Sequence, residues 1–402
     1  MRTLQLVLTG LLLIGSLGTA EPAQEKTKTE QPPAERIEKS GYTGLTVPGL
    51  SVRPEFSLRQ EYHSNIFRAD RGEEHDWVTV VSPGVSLDFS RGGLEVDASY
   101  RARILEYARH GDIDNTEHYL DGGFLYRFGH FFVGGDAAYR QTSDPIDLPI
   151  TRRLIIYRRR YAGLVGFTYD PWTVKLRYTT RDYDVDEDIY DFLDYVDRGT
   201  KLSIRYRLSP HWKFRAGIGM GEQKYEEIKN DSNYEEYTAG FQWVPHRRFG
   251  IIVDAGYRSD DYDPDSGSLP GFDGDYSGPV VRLTAEWLPW DEGAFTFTLS
   301  RSPADSVLSN FIAEDRVGVS YVHQISDRWS ARVDGHYAHA EESESLVPQE
   351  TKHTFGAGGS VNWRITDWLS AEVGYRYEDK STHDGTGEYV DHIVSVGMTA
   401  GF

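Results

Sequence analysis

Residues 94–104 read Leu-Glu-Val-Asp-Ala-Ser-Tyr-Arg-Ala-Arg-Ile. Every even position, Leu94 to Ile104, is apolar or small, and every odd position is polar or charged. A period of two is the signature of a strand with two unlike faces. The polar face is unusual because it carries full charges: Glu95, Asp97, Arg101 and Arg103. Such a face cannot be a packed interior, since burying unpaired charge is very costly. It faces water, and the opposite face then needs an apolar partner.

The pattern recurs along the chain. Val174, Leu176 and Tyr178 alternate with Lys175, Arg177 and Thr179, and Leu202, Ile204 and Tyr206 with Ser203, Arg205 and Arg207. Ala331, Val333 and Tyr337 alternate with Arg332, Asp334 and His336, and residues 369–378 repeat it with Arg376 on the polar side. Strands of ten to fifteen residues are separated alternately by short turns and long polar loops. That rhythm predicts an all-β fold, a single large antiparallel transmembrane β-barrel with lipid outside and water inside. The segments number about 18, with 16 as the alternative. Their expected starts are Ser51, His75, Gly93, Thr116, His130, Arg158, Trp172, Val196, Trp212, Glu235, Arg248, Asp275, Gly293, Ala313, Arg328, Lys352, Trp368 and Tyr389. A barrel of this size leaves an aqueous lumen unless a loop plugs it.

Composition agrees. Tyr (26), Phe (18) and Trp (9) are abundant and Met (3) is scarce, which suits pleated surfaces and aromatic girdles. Trp172, Trp212, Trp290, Trp329 and Trp368 each sit beside a short turn containing Asp or Pro. Trp favours the membrane interface, so these turns are expected on one side, the periplasmic one. The absence of Cys removes thiol nucleophiles, Cys-based metal sites and disulfides. A net charge of −20 argues against nucleic acid as a partner. Past the first 20 residues no apolar run is long enough for a spanning helix.

Residues 1–20 carry a basic start, an apolar core from Leu4 to Leu17 and small residues Gly18, Thr19 and Ala20. They read as a secretory signal peptide. Residues 21–50 open with a charged, Pro- and Gln-rich stretch and are expected to form a disordered periplasmic segment. Residues 51–402 form the barrel. The last strand alternates Val394, Val396, Met398, Ala400 and Phe402, and a terminal aromatic resembles the signal read by the barrel-assembly machinery. The expected location is the outer membrane of a Gram-negative bacterium, with outer-membrane lipid and lipopolysaccharide as surroundings.

Chemistry-bearing motifs are few. No nucleophile elbow and no phosphate-cradling Gly-rich loop is present, so no catalytic residue, metal or cofactor is assigned, and the chain is read as no enzyme. Asp182, Asp184, Asp186 and Asp188 alternate, so an extended segment would set all four on one face as a candidate cation-binding array. The competing reading is plain solvation of an acidic loop. Residues 144–160, DPIDLPITRRLIIYRRR, combine apolar residues with Arg152, Arg153 and Arg158. They are a candidate constriction, because charged rings set pore selectivity. The alternative is that they extend the flanking strands.

The first strand and its loop, Arg53 to Arg68, contain Tyr62-x-x-Asn65-Ile66-Phe67. This run resembles the opening of the outer-membrane β-barrel porin-2 family, although His63 and Ser64 replace the residues usual there. Members often accompany exopolysaccharide genes. The resemblance implies a role in exopolysaccharide export, with a polysaccharide substrate and a periplasmic export protein as partners. The function expected overall is an outer-membrane channel for hydrophilic solutes. Arg101, Arg103, Lys175, Arg177, Arg205, Arg207, Asp334 and Arg376 would line the pore as a mixed-charge wall. The competing class is a structural or adhesive barrel with a closed lumen and acidic surface loops.

Overall fold

The computed structural model describes residues 45–143, 153–226, 231–262, 275–305, 311–342, 351–383 and 387–401. The signal peptide, the start of the segment after it, Arg152 and Phe402 lie outside the described residues. Among these described residues, nineteen strands follow in order. They are β1 Leu45–Val47, β2 Leu50–His63, β3 Asp76–Arg91, β4 Leu94–Tyr107, β5 Asn115–Phe128, β6 Phe131–Thr142 and β7 Ile156–Tyr169. Then come β8 Trp172–Val185, β9 Tyr195–Arg207, β10 Trp212–Tyr225, β11 Ser232–His246, β12 Phe249–Tyr262 and β13 Tyr276–Trp290. The last six are β14 Gly293–Asp305, β15 Phe311–Gln324, β16 Trp329–Glu342, β17 Thr351–Arg364, β18 Leu369–Thr382 and β19 Tyr389–Gly401.

β2 to β19 pair antiparallel with their sequence neighbours, and β19 pairs with β2, so 18 strands close into a barrel. The expected count of 18 holds, and every expected start falls within three residues of the observed one. β1 adds a short hairpin. Leu45 to Val47 pair with Leu50 to Val52 on the edge that β19, ending opposite Glu55, leaves open. Gly49 makes the tight turn at φ 86°, where a Cβ would lie 2.9 Å from the Ser90 carbonyl oxygen.

Strand parity sorts the side chains as the alternation predicts. Leu58, Leu176, Val333 and Val396 point outward and stay exposed. Arg101, Arg177, Arg205 and Asp334 share the opposite, inward face through their cross-strand partners. The outward apolar band is bounded by two belts. At the short-turn end stand eight of the nine Trp, with Trp329 stacked on Trp363 at 5.5 Å and Trp212 on Trp243 at 5.4 Å. At the long-loop end three outward Tyr hydroxyls meet His Nδ1 on the next strand: Tyr100–His118 at 2.9 Å, Tyr337–His353 at 2.7 Å and Tyr375–His392 at 2.8 Å. Amphipathic rings at both borders of an apolar band mark a membrane-spanning wall.

Inward glycines make room for large side chains to lie flat on the wall. The Tyr234 ring covers Gly221 and Gly199, and the Arg258 guanidinium sits 4.1 Å above that ring. A Cβ at Gly221 would come within 2.4 Å of the Arg198 carbonyl oxygen and 2.5 Å of the Tyr234 ring. Gly221→Ala is therefore expected to overpack the wall and cost about 1–3 kcal/mol. The check is a lower temperature for the loss of compact, heat-modifiable migration on gels; an unchanged transition would refute this account of the packing.

Candidate functional site

Among the described residues, many charged side chains converge on the lumen. All eight predicted pore-lining residues face inward. Arg103 bonds Glu117 at 2.8 Å, Arg101 reaches Glu55 at 3.5 Å, and Arg177 pairs with Asp136. Arg207 lies at the short-turn rim against Asp170. Lys175 and Arg205 stand on the neighbouring strands β8 and β9.

The charges on this wall are segregated by strand. Cations gather on β6 to β10: Arg140, Arg158, Arg160, Lys175, Arg177, Arg181, Lys201, Arg205, Arg207, Lys213 and Arg215 all point inward. The inward carboxylates on the same strands are Asp136 and Asp197. β14 presents Thr296, Thr298 and Ser300 instead. On β2 to β5, Glu61, Asp88, Glu95, Asp97 and Glu117 offset the arginines. Segregation by wall escapes a strand-by-strand reading because it depends on which strands are neighbours.

The candidate constriction is seen in part. Arg153 donates from Nε to the Ile66 carbonyl and from Nη1 to the Ser143 carbonyl, both at 3.2 Å, and its guanidinium lies 5.5 Å from the Tyr107 ring. It ties segments together rather than standing free in the path. Arg158 belongs to the β7 wall and lies over Tyr183. Of the apolar residues beside them, Leu154 is buried with Val185 and Leu193 inside the long-loop end, and Ile156 is buried on the strand.

The Tyr62-x-x-Asn65-Ile66-Phe67 run also has a place at this end. Asn65 and Ile66 are buried, and the Asn65 side chain closes a turn by donating to the Ala69 carbonyl at 2.8 Å and accepting from the Ala69 amide at 3.0 Å. Asp391 accepts the Ser64 and Asn65 amides at 3.1 Å and holds the turn to β19. Arg68 then reaches Glu378 of β18 at 3.2 Å.

The acidic array is not assembled as the spacing suggested. Asp182 and Asp184 share the outward face of β8, but both bond Arg159, at 3.0 and 3.1 Å. β8 ends at Val185, so Asp186 falls in the following turn and Asp188 opens a short 3₁₀ turn, Asp188–Leu193. The four carboxylates therefore share no face. Among the described residues no group of His, Asp and Glu is arranged to hold a metal ion.

Several loop carboxylates have a use that the sequence reading missed. In five long-loop hairpins, the acidic residue just before the returning strand accepts the backbone N–H that ends the outgoing one. Asp114 takes Tyr107 at 2.7 Å, Asp194 takes Val185 at 2.9 Å and Asp231 takes Tyr225 at 2.9 Å. Asp275 takes Tyr262 at 3.0 Å and Glu388 takes Thr382 at 3.2 Å. The signal was an Asp or Glu at the position preceding each strand start.

Asp194 is the strained member of this set. Burial pushes its carboxyl up to about 6, and the nearby charges of Asp184, Asp191 and Glu226 add to the rise, against the Val185 amide that favours the ionised form. A carboxyl whose folded pKa is raised makes the closed loop less stable as pH climbs from the ordinary carboxylate range to about 6, with no further loss above that. Residues 186–194 should exchange amide protons more slowly at pH 5 than at pH 7 once intrinsic rates are corrected. Asp194→Asn keeps the acceptor oxygen and should flatten that dependence. Protection that increases with pH would contradict the assignment.

Comparison with known proteins agrees with the geometry. The barrel resembles a BenF-like porin from Pseudomonas fluorescens Pf-5, with a TM-score of 0.50, 10% identity, and 87% of this chain and 99% of that chain covered. It is also similar to OpdK of Pseudomonas aeruginosa crystallised with vanillate (TM-score 0.48, 10% identity, 87% and 99% covered). OccAB4 of Acinetobacter baumannii matches with a TM-score of 0.48 and 12% identity over 87% and 98%. At such identities the likeness is one of fold. No curated protein matches the chain in sequence. Residues 81–265, just under half of the chain, match the sequence profile of the family described as Gram-negative porin. With its apolar band and paired aromatic belts, the chain is an outer-membrane β-barrel of porin architecture.

Proposed function

We propose that the barrel is a passive channel for small hydrophilic solutes. The observation that carries this reading is the inward face itself. Nearly every strand sends charged or hydroxyl side chains into a closed interior, and that interior is stable only if water fills it. The Gram-negative porin profile over residues 81–265 supports the same reading.

The long-loop end favours small solutes over a polymer. Val78, Val80, Leu105 and Tyr107 form one buried cluster there, and Leu154, Val185 and Leu193 form another. On this reading, these clusters and the Asn65–Ile66 turn are what would narrow that mouth. Export of exopolysaccharide is the finer expectation, and it rests on the resemblance at Tyr62 to Phe67. Those residues serve a structural purpose here, since Asn65 and Ile66 build the turn that Arg153 joins.

The test is reconstitution of the purified barrel. Discrete conductance steps in planar bilayers are expected, together with swelling of proteoliposomes in monosaccharides and none in long dextrans. Absence of both steps and swelling would favour the closed, adhesive barrel. Swelling in dextrans would favour the polymer reading.

A further inference from the structure

We infer that the β6–β10 wall is a track for oxyanions, so that this channel prefers solutes bearing carboxylate or phosphate groups. The inference deepens the channel reading and rests on it.

Five pairs of cations stand directly opposite one another across these strands: Arg140 and Arg158, Arg160 and Arg181, Arg177 and Lys201, Arg205 and Arg215, Arg207 and Lys213. Among the described pairings no two cations oppose each other anywhere else in the barrel. Like charges in direct register destabilise a sheet, so five in neighbouring ladders work against the fold. Composition does not explain them, because the chain as a whole carries −20.

Each opposed pair has a protein carboxylate on at least one member: Arg140 pairs with Asp121, Lys201 with Glu236 and Arg207 with Asp170, but these are drawn from neighbouring strands and turns and are shared thinly. Asp136 is shared between Arg160, at 3.0 Å, and Arg177. Arg181 takes Asp197, and Arg215 draws on Asp254 two strands away. The guanidinium fork fits planar carboxylate and tetrahedral phosphate through paired N–H donors. An oxyanion seated between two opposed guanidinium groups would relieve their repulsion. The next pair along the wall offers the same terms, so the ion can pass on without being trapped. Fields from one-signed charge in a confined path also concentrate the counter-ion.

The experiment is a reversal potential across planar bilayers holding single wild-type barrels in a potassium chloride gradient, repeated with potassium acetate and potassium phosphate. Anion preference is expected with all three salts. Preference for acetate alone or phosphate alone would assign the track to that one oxyanion. Arg160→Gln with Arg181→Gln should lower the anion-to-cation permeability ratio several-fold, and Arg205→Gln with Arg215→Gln is the second variant should the first fail to fold. Arg159→Gln with Arg198→Gln, on the outward face of β7 and β9, should leave the ratio near that of wild type. Steps with cation preference, or a ratio that falls equally in this outward-face control, would overturn the track and leave the channel standing. Absence of steps in the wild type would overturn the channel reading itself.

Discussion

Everything in this molecule depends on the pairing of β2 with β19. In lipid no water is available to satisfy a strand edge, so a sheet survives only if its first and last strands meet. Here they meet from Ile393 opposite His63 to Gly401 opposite Glu55. Below that point β19 ends, and β1 folds back to serve the remaining edge at Leu50 to Val52. Closure fixes parity around the whole circle. Once one strand has its apolar face outward, a slip of a single residue anywhere would turn charges into lipid. The regular alternation in the sequence is the consequence of that requirement.

The two ends of the barrel solve different problems. At the short-turn end the connections are tight, and Trp rings beside them mark the border of the membrane. At the long-loop end the chain must leave the sheet and return, and each excursion exposes the last backbone donor of a strand. Asp114, Asp194, Asp231, Asp275 and Glu388 meet that need locally. Asp76, Glu117 and Asp391 do the same from within the wall, accepting amides of Arg109, Ser143 and Asn65. The acidity of the loops thus arises partly from hydrogen bonding, with no metal or ligand required to explain it.

This division also explains what could be read from the sequence. Period-two alternation is local, so strand starts such as Trp172, Trp212 and Gly293 were legible to the residue. Side-chain direction was equally legible, which placed Arg101, Lys175 and Asp334 in the lumen. Partnerships were not. That Asp182 and Asp184 belong to Arg159 depends on the register between β7 and β8. That Arg153 meets the Ile66 carbonyl depends on a contact across 87 residues of chain. The basic wall lay between these extremes. Each cation on it was visible, but their opposition in pairs appears only when the ladders are set side by side.

Stability and passage are therefore the same problem in this barrel. A dry lumen would have to bury the β6–β10 cations against too few carboxylates, and removing charges from water costs several kcal/mol for each ion. A packed plug of side chains could not meet that cost, because Asp136 already serves two arginines. Water and mobile counter-ions can. The wall that makes a dry interior untenable is thus the one that holds water in the lumen. The fold tolerates its opposed cations because the lumen is wet, and the lumen is kept wet by the charges that line it.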